Sequence, residues 1–154
     1  MNEKREKAPE GKGSDSMTAP EIVEVLLEKP YWIIDFLPEQ VPEKSPGQFF
    51  AVEEWILNDP NLRRKQAGFL LKLNCYYDLT IVREDDTLCT NPKPRELASL
   101  IGREYLNILV GRDALISADR TDAGMTLYNP DEKLVELAGK LAASEGLFLR
   151  KGSN

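Results

Sequence analysis

Histidine is absent from this 154-residue chain. That removes the commonest general acid/base, the serine–histidine and cysteine–histidine nucleophile pairs, and nearly every zinc site. Cysteine is scarce as well. Cys75 and Cys89 are the two present, too few for an all-cysteine zinc site within one molecule. No apolar run approaches the roughly 20 residues of a membrane helix, and the charged N-terminus lacks the apolar segment of a secretory signal. The expectation is a cytoplasmic protein with free, reduced thiols. Neither GxxxxGK[ST] nor GxGxxG occurs, nor does the GxSxG nucleophile elbow. Carboxylate, lysine, tyrosine or carboxylate-bound magnesium chemistry is what these absences leave open. The sequence assigns no catalytic residue, no metal site and no cofactor.

Apolar content of 42% and charged content of 30% are ordinary for a globular protein, and the length is that of one domain. The net charge of −6 is unevenly distributed. Residues 17–60 hold nine acidic and two basic side chains, whereas residues 61–83 hold one acidic and five basic. An acidic protein repels a phosphate backbone, which disfavours nucleic-acid binding. The basic block is expected to face the acidic N-terminal segments within the fold. The run Arg63-Arg64-Lys65 with Lys72 suits local ion pairing better than RNA, because its members point to different sides of a helix.

Residues 61–83, NLRRKQAGFLLKLNCYYDLTIVR, organise the rest. Leu62, Gln66, Phe69, Leu70, Leu73, Tyr76 and Tyr77 follow helical spacing. Ala67, Leu71 and Cys75 make a second apolar side and leave a narrow wet stripe through Asn61, Lys65, Gly68 and Lys72. Such a helix belongs between layers. After Tyr77 the period becomes two, and Leu79–Val82 reads as a strand.

Residues 1–16 cannot build a core and read as a disordered tail, with a single domain over 17–154. Thr18 caps a short helix carrying Ile22, Val23, Leu26 and Leu27, and Pro30 ends it. YWIIDFL (31–37) is a core strand interrupted by Asp35, a carboxylate that must sit at an edge, pair with a basic residue or act. Ser45-Pro46-Gly47-Gln48 is read as a capping box opening a helix in which Phe49, Val52 and Ile56 pack on one line, flanked by Phe50 and Trp55. Asp59-Pro60 opens the central helix. Glu84-Asp85-Asp86 is a turn, and Asn91-Pro92 leads into a helix over roughly 93–101 that Gly102 closes. Strands over 105–110, 114–118 and 125–128 form an antiparallel meander, with Gly124 placed for a positive φ in the second turn. Asn129-Pro130 caps the last helix, Gly146 terminates it, and LFLR is a closing strand.

Two polar groups carry the weak functional signal. Asn74, Tyr76, Tyr77 and Asp78 cluster at a helix-to-strand junction and have the donors and acceptors to hold a small ligand or peptide. The alternative is core aromatics with polar tips, a helix-capping asparagine and a turn aspartate. Asp35 is the other. Cys75 has no histidine to activate it. Asp119-Arg120-Thr121-Asp122 lacks the EF-hand spacing and reads as a solvated hairpin tip.

The stretches EKPYWIIDFLPEQVP, GQFFAVEEW, RKQAGFLLKLNCYYD and YNPDEKLVELAGKLAASEGLF resemble a small bacterial family with no assigned activity. The resemblance spans about residues 28–148 in pieces. It implies a bacterial cytoplasmic setting and supplies no catalytic or ligand residues.

The expected fold is α+β, a mixed, largely antiparallel sheet of five or six strands with helices mainly on one face. The expected function is a non-enzymatic binding or regulatory module acting through a protein partner, a basic one on charge grounds, with a homodimer open. The rival is a magnesium-dependent enzyme drawing on Asp35, Asp78 and Glu53 or Glu54, which requires such carboxylates within about 5 Å of one another in a pocket. An exposed aromatic patch, in particular a tryptophan, favours the first reading.

Overall fold

A computed structural model describes residues 17–152; the expected tail over 1–16 lies outside them. The elements run α1 (Ala19–Leu26), β1 (Tyr31–Asp35), α2 (Phe49–Leu57), α3 (Pro60–Leu73), β2 (Leu79–Val82), β3 (Leu88–Thr90), α4 (Pro94–Leu100), β4 (Leu106–Val110), β5 (Ala114–Ala118), β6 (Met125–Tyr128), α5 (Glu132–Ser144) and β7 (Phe148–Lys151). The chain is α+β, with one seven-stranded sheet in the order β3-β2-β4-β5-β6-β1-β7. Each pairing is antiparallel, so the sheet is not mixed, and it exceeds the expected five or six strands by β3. That strand escapes pattern reading because it is three residues long and exposed throughout.

Alternation along the strands divides the core between two faces. On the first, Leu79, Ile81, Leu106, Ile108, Ile116, Met125, Leu127 and Ile34 meet Phe69, Leu70 and Leu73 of α3, Leu97 of α4, and Leu134, Ala138 and Ala142 of α5. On the second, Val82, Leu109 and Leu115 receive Ile22, Val23 and Leu26 of α1. Helices therefore lie mainly on one face, while α1 covers the β2–β4–β5 half of the other. The β6–β1–β7 half of that second face carries Tyr31, Ile33, Asp35, Tyr128 and Arg150, all half-buried; Tyr128 packs against the α1 cluster, and Asp35 and Arg150 lie beside the start of α2.

The termini of the helices show which local signals held. Thr18 closes a capping box, its Oγ1 accepting from Glu21 N at 3.3 Å while its own N–H donates to Glu21 Oε1 at 2.8 Å. Asp59 caps α3 through Asn61 N, with Pro60 at the first helical position. Two of the other proline signals mislead. Ser45 Oγ accepts from Gly47 N in a local turn, and α2 begins only at Phe49 with no side-chain cap. Asn129 takes a left-handed conformation (φ 60) and donates to Asp113 O, leaving Asp131 to cap α5 through Leu134 N. Gly124 has no positive φ; Gly102, Gly111 and Gly146 do, and the first and last of these close α4 and α5 as expected.

The central helix ends at Leu73, so Tyr76 and Tyr77 lie in the turn beyond it. Among the described residues, Arg63, Lys65 and Lys72 face C-terminal segments and not the acidic N-terminal ones, while Arg64 bonds Asn61 within the helix. Arg63 Nη2 donates to Arg120 O at 2.6 Å, and Lys72 Nζ lies 2.9 Å from Glu145 Oε2. Gln66, 1% exposed, accepts from Arg63 Nη1 at 2.8 Å and donates to Ala123 O at 3.1 Å. This polar seam fastens the β5–β6 turn to α3, because each buried polar atom there needs a partner.

Candidate binding surface

The junction after α3 is held together by a residue outside the expected cluster. Asn91, at φ 51, accepts through Oδ1 from Asn74 Nδ2 at 2.8 Å and Leu79 N at 3.0 Å. Its Nδ2 donates to Asp78 Oδ1 at 2.9 Å. Asn74 Nδ2 also reaches Tyr77 O at 3.0 Å. The amide of Asn74 and a carboxylate oxygen of Asp78 are thus occupied in pinning the end of β3 to the start of β2. Tyr76 projects into solvent, while Tyr77 lies along the side of a recess of about 300 Å³ with Gly111, Asp113, Asn129 and Asp131. Cys75 is exposed, its thiol donating to Leu71 O one turn back at 3.6 Å.

Asp35 does not belong to that cluster. The strand register sets Leu79, Val110, Ala114, Tyr128 and Tyr31 at one end of the sheet. Asp35 lies four residues along β1, at the opposite end beside Phe148. Its Oδ2 accepts from Arg150 Nη2 at 3.0 Å and its Oδ1 from Phe36 N at 2.8 Å. The pair is largely shielded, and Arg150 Nε is buried with no acceptor among the described residues. Of the roles open to an aspartate in an apolar strand, pairing with a basic residue is the one realised. The signal for Arg150 is faint, one of two adjacent cations in a four-residue strand.

Asp35 and Arg150 form the floor of a cavity of about 350 Å³ beneath residues 36–48. Phe49 and Phe50, from the start of α2, line its side. Phe36 stacks on Phe49 with centroids 6.4 Å apart, and Phe50 meets Phe49 edge-on at 5.4 Å.

Helix α2 continues from this cavity, and its sequence FFAVEEWIL buries none of its residues. At 100° per residue, Phe49, Glu53, Ile56 and Leu57 turn inward and are half-buried. Ala51, Glu54 and Trp55 share the outer side, with Val52 at one margin and Phe50 at the other, toward the cavity. Phe50 is 82% exposed and Trp55 69%. The expected line of packed residues is therefore corrected: Val52 is exposed at a margin, not packed into the core. Trp32, by contrast, packs against the first-face core.

The electrostatics around α2 are acidic. Burial raises the Glu53 carboxyl above its ordinary value, with Asp122 and Asp35 adding to the rise. Arg63 is lowered by burial, against the opposing pull of Asp122 and Asp119. Asp119 and Asp122 otherwise cap their own turn, accepting from Thr121 and Gly124. Among the described residues no group of three or more acidic or cysteine side chains is placed to hold a metal ion. Nor is any described helix long and apolar enough to cross a membrane. No family model, curated protein or solved structure matches the chain.

Proposed function

We propose that this protein is a non-enzymatic binding module that recognises a protein partner through the outer side of α2. One observation carries the reading: a nine-residue helix with five aromatic or branched aliphatic side chains besides a leucine fully buries none of them and leaves Phe50, Val52 and Trp55 exposed. Exposed aromatics clustered on one element mark interaction surfaces, and an apolar helical face fits a hydrophobic groove on another protein. The surrounding charge favours a basic partner. Residues 31–60 contain six carboxylates and one cation, and mutual repulsion around Glu53 is relieved when a cation approaches. The cytoplasmic setting belongs to the same proposal and rests on the two unpaired cysteines. The magnesium-enzyme reading finds less support, because Asp35 and Asp78 stand at opposite ends of the sheet.

The test compares partner capture from source-cell lysate by the wild-type chain and by Phe50→Ala/Trp55→Ala, with nuclease present. Both should melt at the same temperature, since neither side chain supports the core. Stoichiometric capture by the wild type and loss by the variant is the expected result. Equal capture by both would remove α2 from the interface. Concentration-dependent sedimentation that the same variant abolishes would identify the partner as a second copy.

A further inference from the structure

The cavity beside α2 has a chemical character of its own. Its floor is already neutralised, because the Asp35 carboxylate and the Arg150 guanidinium pair with each other. The rim adds Glu39 and Glu43, so the lining holds three carboxylates against one cation. Lys44, in the same loop, is not among the lining residues. An incoming anion would meet like charge at the mouth, whereas an incoming cation would meet carboxylates on the way in and aromatic rings within. Phe50 is well placed for this. Its ring stands at 71° to Phe49 and leaves a face open to solvent. A volume of about 350 Å³ is at the low end for ligand pockets, suited to one long side chain and not to a nucleotide cofactor.

We infer that this cavity is an anchor site for a lysine or arginine side chain of the partner, with Glu39 and Glu43 at its rim and Phe49 and Phe50 along its side. The inference rests on the reading of α2 as a docking element and supplies the partner's recognition chemistry. The apolar face of α2 gives contact area, and the cavity selects for a cation next to the partner's groove.

The test uses ¹⁵N-labelled protein and four capped tripeptides, glycine-X-glycine with X arginine, lysine, glutamine or glutamate, followed by amide shifts; putrescine is the free-amine control. The arginine and lysine peptides should shift the amides of residues 39–50 saturably and weaken as salt rises. The glutamine and glutamate peptides should not. Glu39→Gln/Glu43→Gln should weaken the cationic peptides about three- to ten-fold, the range for two exposed charge contacts. Glu39→Lys/Glu43→Lys should abolish their binding. Equal shifts from the glutamate peptide, or none of these losses, would overturn the inference. Putrescine binding more tightly than the peptides would overturn the assignment to a partner side chain. The two readings separate cleanly. Trp55→Ala leaves peptide binding intact if the cavity acts alone as the cation site, and failure of the α2 capture experiment with peptide binding intact would remove only the docking role of the helix.

Discussion

Replacing Gln66 by methionine tests whether the buried polar seam between α3 and the β5–β6 turn holds the fold together. Gln66 is the buried polar side chain of the described core, and both ends of its amide are engaged. Methionine keeps the length of the side chain and removes both hydrogen bonds. Arg63 keeps its bonds to the carbonyls of Arg120 and Asp122 and has access to water, so its loss falls at the low end of about 1.5–3 kcal/mol for a charge-assisted bond. The Ala123 carbonyl lies at a residue 2% exposed and is left without its partner, a cost of about 1–3 kcal/mol. The two together predict a loss of about 3 kcal/mol. In urea, with a slope of about 1.5–2 kcal/mol per molar, the midpoint should fall by roughly 1.5 M at unchanged slope. A double-mutant cycle with Arg63→Ala should show at least about 1 kcal/mol of coupling. A midpoint within 0.3 M of wild type, or a more stable variant, would show that an apolar side chain serves equally well there and refute the reasoning.

Glu53→Gln should raise the melting temperature at neutral pH and leave it unchanged near pH 3.5, read by calorimetry. Its carboxyl is raised in the folded chain, so the folded state retains the proton to higher pH than the unfolded one; stability is lost as pH climbs from 4.5 through the folded value, and glutamine removes that loss. Asn91→Ala should cost about 2–3 kcal/mol in denaturant unfolding, from the lost bonds to Asn74, Asp78 and Leu79 and the left-handed backbone. Asn91→Gly should recover roughly 1 kcal/mol of that, because glycine accepts positive φ. Trp55→Ala should change stability by no more than about 0.5 kcal/mol, against about 3–5 kcal/mol for Phe69→Ala in the core. A comparable loss at both would mean that Trp55 supports the fold.

Strong periodicity and paired cap signals were legible in the sequence; tertiary compensation was not. The Leu62–Leu73 stripe, the alternation of Leu79–Val82 and the 106–128 meander fix side-chain direction residue by residue, and the structure follows them. The caps at Thr18 and Asp59 act within three residues and could be read locally. Ser45-Pro46 and Asn129-Pro130 look the same locally, yet one is a turn and the other a left-handed link to Asp113. Asn74, Tyr77 and Asp78 are neighbours in the sequence, but the group that joins Asn74 to Asp78, Asn91, is a long-range partner contributed by the end of β3. Asp35 pairs with Arg150, 115 residues away, and no local pattern encodes such a distance. Helix α2 misled for a different reason. Its apolar residues lie on both sides of the Glu53–Glu54 pair, and composition cannot say which side is left without a neighbour.

The exposure of α2 also bounds what can bind it. Phe and Trp each offer about 150–250 Å² when fully buried, so Phe50 and Trp55 at their present exposure leave roughly 300 Å² for a partner to cover. At 25 cal/mol per Å² that is worth about 7 kcal/mol. Association costs an estimated 4–15 kcal/mol in lost rigid-body freedom. The two aromatics therefore cover that cost only toward the low end of its range, and a stable complex needs further contacts from the same side of the molecule. The cavity over Asp35 and Arg150 adjoins α2 through Phe49 and Phe50 and lies within its acidic surroundings. An apolar groove alone would bind weakly and without selection. A groove flanked by a lysine or arginine that reaches the cavity gains both charge complementarity and a second point of attachment, which fixes the register of the complex.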